Sequence, residues 1–397
     1  MNYILFDSDI RNSLLPFTFT KPVADLRIGI LTIREKWEHY LGFTTSTITE
    51  GYLEEKYPMV EMEENILINA SFCPSKKLVK KIKNLSKNEA IFKGDDVLAF
   101  YTSDFQEEVD FETYTQIEFE DELLRIKNTW DIFSVNDKAI QQDFELLTKD
   151  RTSQSIPKTV QAINPERIFI EDGAKITFAF LNASSGPIYI GKDAEIMEGC
   201  VVRGPLAMCE HSTLKMGAKI YGATTIGPHC KVGGEVNNVV FEAYSNKSHD
   251  GFLGNGYIGS WCNIGADTNA SNLMNNYGIV DVHDYETGKT TSSGEQFVGL
   301  HMGDHSKCGI NTMFNTGTVV GVGSNIFGSG FPRQFVPDFA WGGASGFVTH
   351  KLPQMEKTAQ LMMQRRKRNY DEEEQSIIRA VFDQSQQYRS WEKESEA

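Results

Sequence analysis

Between Asn246 and Gly278 the chain sets a histidine, aromatic residues and amides into short polar runs. The first reads Asn246-Lys247-Ser248-His249-Asp250-Gly251-Phe252-Leu253-Gly254; Cys262-Asn263-Ile264-Gly265 and Asn275-Asn276-Tyr277-Gly278 follow. A histidine suits proton removal near neutral pH, because its unperturbed pKa lies there. An amide or a backbone N–H beside it can stabilise a developing oxyanion. Two other groups compete with this one. His301, Asp304 and His305 could ligate a metal, although His305, beside the small residue Ser306, reads better as a structural position. The run Arg365-Arg366-Lys367-Arg368 could grip a phosphate, but with Asp371 to Glu374 close behind it reads first as a solvated helix face.

These residues lie in and around a repeat that must position them. Apolar residues return at every sixth place: Ile190, Ile196, Val202, Met208, Leu214, Ile220, Ile226 and Val232. The fourth residue after each is small in most cases, as at Ala194, Cys200, Ser212 and Ala218. The pattern resumes at Ile258 and Ile264, and again from Met302 through Cys308, Phe314 and Val320 to Ile326. No α-helix and no ordinary strand has this period. A hexapeptide repeat is the signature of a β-helix solenoid. One hexad makes a short strand and a turn, and three make a triangular coil with the apolar residues inward. A single coil is too small to bury its apolar face, so stability comes from stacking.

The repeat is interrupted. A looser run at Ile170, Ile176 and Ile188 skips Asn182, and the strict run starts two residues out of frame at Ile190. After Val232 the next strand place falls on Asn238, and Ile258 is again out of frame. A longer polar break runs from Asn272 to about Gln296. Insertions in a solenoid leave as loops on one edge, often the binding edge. The chemistry is therefore expected at the breaks. After Ile326, Trp341-Gly342-Gly343 and Ala344-Ser345-Gly346 read as loop or a last irregular coil. Pro353 to Tyr370 then turns helical, and Asp371 to Glu394 continues that pattern.

The hexad is missing from residues 1 to about 155. Ile66-Leu67-Ile68 predicts a strand, and Lys76 to Ile82 an amphipathic helix with a basic outer face. Such alternation indicates an α/β layer domain. Asp137 to Leu147 predicts a helix, with Thr148 to Pro157 as a linker. The expected plan is an α/β domain over 1–155, a β-helix over 160–350 and a helical extension over 351–397. A length of 397 residues suits two or three domains with ample core. The net charge of −15 argues against a nucleic-acid or anionic-membrane surface. No apolar run approaches ~20 residues, so no membrane span is expected. Met1 to Phe6 reads as a buried strand rather than a signal peptide, which points to the cytoplasm. Cys200, Cys230 and Cys262 fall on the small position and Cys308 on the apolar one, so packed, reduced thiols are expected.

The repeat resembles the left-handed parallel β-helix of hexapeptide-repeat acyltransferases, and the handedness rests on that resemblance alone. The order from His249 through Phe252 to Asn263 is similar to the acetyltransferase half of one bacterial family. This is the bifunctional UDP-N-acetylglucosamine pyrophosphorylase / glucosamine-1-phosphate N-acetyltransferase family, matched over about 210 to 330. The resemblance implies acetyl transfer from acetyl-CoA to the amine of glucosamine 1-phosphate. It makes His249 the base and puts Asn263 and Phe252 on the sugar side, with Lys215 and Lys289 as phosphate contacts. Asn276 and Tyr277 fall on the acyl and acetyl-CoA side. It implies a homotrimer with CoA between neighbouring subunits. Two departures stand out: the family's aromatic sugar contact is a tyrosine where this chain has Phe252, and a basic residue expected near Asn237 is missing.

The opening of the chain is similar to the sugar-nucleotidyltransferase signature at Arg11, at the run ending in Thr18, and at Lys21. Residues 14 to 24 and 31 to 38 also resemble a Bacteroidetes-type variant of those enzymes. The resemblance implies that Arg11 and Lys21 neutralise a nucleotide's phosphates, that Asn136 is a metal ligand, and that Mg²⁺ assists if the domain is active. The glycines of the phosphate loop are replaced by Asp7, Ser8 and Asp9, and the segment Ile68 to Pro74 lacks the family's acidic metal ligand. Three functions follow. The first is a two-domain transferase of sugar-nucleotide synthesis. The second is a nucleotidyltransferase for UTP or dTTP with a structural β-helix. The third is a sugar-nucleotide sensor without turnover.

Overall fold

The computed structural model describes residues 1–103 and 109–394. Strand Asn2–Phe6 pairs in parallel with Ser46–Ile48 on one side and Asn65–Asn69 on the other. Asp96–Thr102, Glu89–Lys93 and Thr115–Glu118 complete a six-stranded mixed sheet. Helix α1, Ile33–Leu41, begins on a capping box between Thr32 and Glu35 and stops at Gly42, whose φ of 79° suits a residue without Cβ. Helix α2, Lys76–Ile82, buries Leu78, Val79 and Ile82 and keeps its lysines outside, as its pattern predicts. Helices α3, Asp131–Ser134, and α4, Asn136–Thr148, end this layer.

From Gln161 onward the short strands stack into three parallel columns, the architecture of a triangular β-helix. One column runs Ile168–Ile170, Ile188–Ile190, Leu206–Met208 and Thr224–Ile226, and later His301–Met302 and Val319–Val320. Its outer surface is covered by the N-terminal layer. Phe169, Tyr189 and Ala207 pack on Ile30 and Ile140, and Tyr257 packs on Phe17. A second column, Phe180–Asn182, Val201–Arg203 and Lys219–Tyr221, faces outward and is open. The third runs Glu195–Ile196, Thr213–Leu214, Lys231–Val232, Asn246–Lys247, Asn263–Ile264 and Lys307–Cys308.

The apolar residues of the strict hexad, Ile190 to Val232, all point inward and are buried. The frame slips find physical causes. In the loose run the inward residue is Leu181, not Asn182. Ile188 and Ile190 lie on one strand and both point inward, so no slip occurs between them. After Val232 a whole corner shrinks. Strand Glu235–Phe241 bends across two faces, with Asn238 at a φ of 56° at the bend, so that Val236 and Val239 face the core in its place. Fifteen residues then separate Val232 from its partner Lys247, where eighteen separate Leu214 from Val232.

The long break leaves after Asn269–Ala270 and carries a hairpin, Asp281–Asp284 with Lys289–Ser292. Its Val280, Val282 and Tyr285 join the C-terminal helices in one apolar cluster. Trp341 to Gly343 belong to a last strand rather than a loop, and Ala340–Gly343 folds against Gly346–Thr349 to close the solenoid. Helix α5, Leu352–Arg365, returns along the third column, and α6, Glu372–Gln384, and α7, Ser390–Glu394, follow. Among the described residues no helix is long and apolar enough to cross a membrane.

Candidate functional site

A cavity of about 770 Å³ opens on the third column, under α5. The outward side chains Asn246, Asn263 and Lys307 form its floor, and the turn holding Ser248 and His249 forms one side. Tyr244 and Trp261 form the other side, and Met362, Arg365 and Arg366 of the α5 end form the roof. His249 is exposed at the mouth.

Two features hold this geometry, and neither is evident in the hexad. The first is Lys247. It occupies the inward apolar place between Val232 and Ile264 and is 1 % exposed. Its Nζ donates to the carbonyl oxygens of Gly233 at 3.1 Å and His249 at 2.9 Å. Burial pushes its pKa down to about 8, against the pull of Asp250. A buried amine thus fixes the turn that carries His249. The second is a ladder of rings along one corner: His211, His229, Tyr244, Trp261 and His305. Each has a φ between 55° and 61°. The first four rings stack 4.2 to 4.8 Å apart, nearly parallel, and His305 lies 6.4 Å beyond Trp261. The one signal in the sequence is the recurrence of a ring once per coil.

The cavity is strongly cationic. Burial lowers the pKa of Lys231, and Arg366, Lys215 and Arg365 lower it further. Arg366 donates to Oδ1 of Asn246 at 3.0 Å. Lys307 donates to the carbonyl oxygen of His305 at 2.7 Å, and burial brings its pKa down to about 8.

Of the residues expected to share a site, the structure brings together His249 and Asn263. Lys215 lies one coil away against Gly233 and does not line the cavity. Phe252 lies on the open column near Asn272. Asn276 and Tyr277 sit on the exposed insertion, with Tyr277 68 % exposed, and Lys289 stands at the hairpin turn. None of these lines the cavity.

The N-terminal residues lie apart from this cavity. Arg11 is buried and donates to the Thr18 carbonyl oxygen at 2.6 Å and to the Tyr52 hydroxyl at 2.8 Å, with Asp7 and Glu50 within 3.6 Å. Lys21 is buried against the β-helix and pairs with Asp304 at 2.9 Å. Asn136 is fully buried; its Oδ1 accepts from the Gly29 N–H at 2.7 Å and its Nδ2 donates to the Ala223 carbonyl oxygen at 2.8 Å. Both cations are paired within the protein, Arg11 also bordering a cleft, and the Asn136 amide is a domain tie. These residues do not fit a magnesium site. Asp304 is held by Lys21 and Thr20, while His301 lies between Phe17 and Phe133 with its pKa pressed to about 3 by burial. Among the described residues no three histidine, cysteine or acidic side chains are grouped to hold a metal, and the six cysteines are free and buried.

The fold and cavity define the class: a hexapeptide-repeat β-helix with a polar, cation-lined pocket, joined to an α/β layer. Residues 3–152 match the sugar nucleotidyl transferase family. The bifunctional protein GlmU of Alkaliphilus metalliredigens is 28% identical over 203 residues, 45% of this chain and 42% of that protein. The GlmU of Synechococcus elongatus is 26% identical over 241 residues, 55% and 49% of the two chains. On these matches the chain is similar to GlmU proteins, and it spans less than half the length of those relatives. Among solved structures, the polySia specific acetyltransferase NeuO covers 48% of this chain and 85% of its own at 12% identity. Its TM-score of 0.24 is too low to carry weight.

Proposed function

We propose that the cavity transfers an acetyl group from acetyl-CoA to the amine of an amino-sugar 1-phosphate, glucosamine 1-phosphate. The observation that carries this reading is the meeting of His249 and Asn263 with a set of cations in one cavity. His249 takes a proton from the attacking amine. Nitrogen bonds to the thioester carbonyl, the oxyanion collapses, and the thiolate of CoA leaves. Asn263 orients the sugar. No protein nucleophile is needed, in keeping with cysteines buried inside the coils. Asn276 and Tyr277 stand outside the cavity of their own chain, where they would reach the acyl arm of a neighbouring copy. A homotrimer would supply that neighbour. The open column supports it, because Phe180 and Val201 are 53% and 50% exposed on a flat strand face.

The test is thiol release from acetyl-CoA with glucosamine 1-phosphate. His249→Ala is expected to slow it by about 10²- to 10⁴-fold; unchanged release would remove His249 as the base. A second reading, uridylyl transfer by the N-terminal layer, rests on the family match of residues 3–152. A cleft of about 590 Å³ lined by Arg11, Asn12 and Glu50 is the place to look for it. Binding of UTP there, lost in Asn12→Trp, would support this reading.

A further inference from the structure

We propose that the end of α5 is the phosphate clamp of the cavity, with Arg365 and Arg366 on one side and Lys231 on the other. The clamp would hold the phosphate monoester of the acyl acceptor, and it rests on the reading of the cavity as an acetyltransferase site. Among the described residues four cations and no carboxylate line the cavity, in a chain of net charge −15. Such an imbalance in a half-buried space is unfavourable unless an anion completes it. Two of the acids that follow α5 in sequence are engaged elsewhere. Glu374 pairs with Lys56, and Asp371 caps α6 by accepting from the Glu374 N–H. Arg368 is drawn aside to the Tyr244 hydroxyl at 2.9 Å.

The clamp is also pre-set. Oδ1 of Asn246 holds one nitrogen of Arg366 and leaves its other donors for a ligand. Lys231 feels Arg366, Lys215 and Arg365 more strongly than it feels Glu195. A planar guanidinium pair facing an ammonium suits a phosphate, which offers several acceptor oxygens. The arrangement accounts for the missing basic residue near Asn237: the chain places the charge on a helix outside the solenoid. Lys289, on the hairpin, takes no part.

The experiment uses the full chain and its Arg365→Gln/Arg366→Gln variant. Dissociation constants are measured for inorganic phosphate, glucosamine 1-phosphate, glucosamine and acetyl-CoA, with Trp261 in the cavity wall as the fluorescent reporter and Trp261→Phe as the control. The double variant is expected to lose roughly 10- to 100-fold in affinity for glucosamine 1-phosphate, to lose its response to phosphate, and to bind acetyl-CoA unchanged. A loss confined to acetyl-CoA would assign the arginines to the phosphates of the co-substrate and overturn the proposal. So would equal affinity of variant and wild type for glucosamine 1-phosphate. His249→Ala separates this proposal from the reaction assigned to the cavity: if it retains both turnover and phosphate binding, the assigned base fails while the clamp stands. Matched thermal midpoints for wild type and double variant show that folding is not the cause.

Discussion

The molecule holds two sets of cations, and they have opposite fates. Arg11 and Lys21, in the N-terminal layer, carry the expected phosphate-binding signature, yet each meets carboxylates inside the protein: Asp7 and Glu50 for one, Asp304 for the other. Lys231, Arg365 and Arg366 belong to no family signature, and they meet at a cavity that no acid among the described residues lines. A charge can serve a ligand only where the fold has not already neutralised it. The same contrast separates two faces of the solenoid. One is sealed by the N-terminal layer through Tyr257 and Phe17, and the other leaves Phe180 in solvent. In this protein the N-terminal layer acts first as a cover for the β-helix, where burying each large side chain contributes roughly 1.5–3 kcal/mol.

Several measurements would break or sharpen the contrast, and the largest effect belongs to the neutralised set. Lys21→Met strands Asp304 as a buried charge and is expected to destabilise the fold by about 3–5 kcal/mol, with phosphate affinity unchanged in the protein that stays folded. Urea unfolding measures the first effect and titration with phosphate the second. A stable variant would mean that the pair is not sealed from water.

The next effect is alkaline. Lys247 has a pKa of about 8 in the folded chain against the ordinary 10.5. Between these values the unfolded chain binds more protons, so stability rises with pH from about 8 to 10.5, and the cost of the buried charge is fully present below 8. The span corresponds to roughly 3 kcal/mol at most. Lys247→Met should flatten that rise and, by freeing the His249 carbonyl, lower the rate of thiol release. Unfolding curves at pH 7.5 and 9.5 decide the matter, and an equal slope in both proteins would count against a buried amine.

A second effect, of the same sign, falls in the acidic range. Burial presses the pKa values of His301 and His305 to about 3 in the folded chain against 6.5. The unfolded chain binds more protons between those values, so stability falls as pH drops below about 6.5. His301→Phe should weaken this dependence, because it removes one of the two rings that must stay neutral. An unchanged acid limb would show that the ring is already protonated in the fold.

The smallest effect belongs to the free set. Arg365→Gln is expected to change stability by no more than about 0.5 kcal/mol, since among the described residues no ion pair holds it. A larger loss would place Arg365 among the structural cations and erase the contrast.

Much of the fold could be read from spacing. The six-residue return of apolar residues is a local property, because each coil repeats the same packing problem with the same solution. Helices at Lys76 to Ile82 and Asp137 to Leu147 were legible for a similar reason: caps and apolar periodicity act within a few residues. The frame slips were legible as slips but not as geometry. A shortened corner is what puts Lys247, rather than an apolar residue, into the core column. The histidine and the first amide of the site were legible in His249 and Asn263. The run Arg365 to Arg368 was legible as a phosphate grip or a solvated face, but its place at this cavity was not, because it lies on a helix about a hundred residues further along the chain.

The sequence by itself determined the solenoid, the helices and the position of the one histidine that faces the cavity, since these follow from short-range pattern. Only the tertiary structure decided which cations are free. Lys21 and Asp304 are 283 residues apart, and nothing local marks them as partners. Coulomb attraction acts through space and desolvation depends on what covers a side chain, so the fate of a charge is settled only when distant segments have packed together.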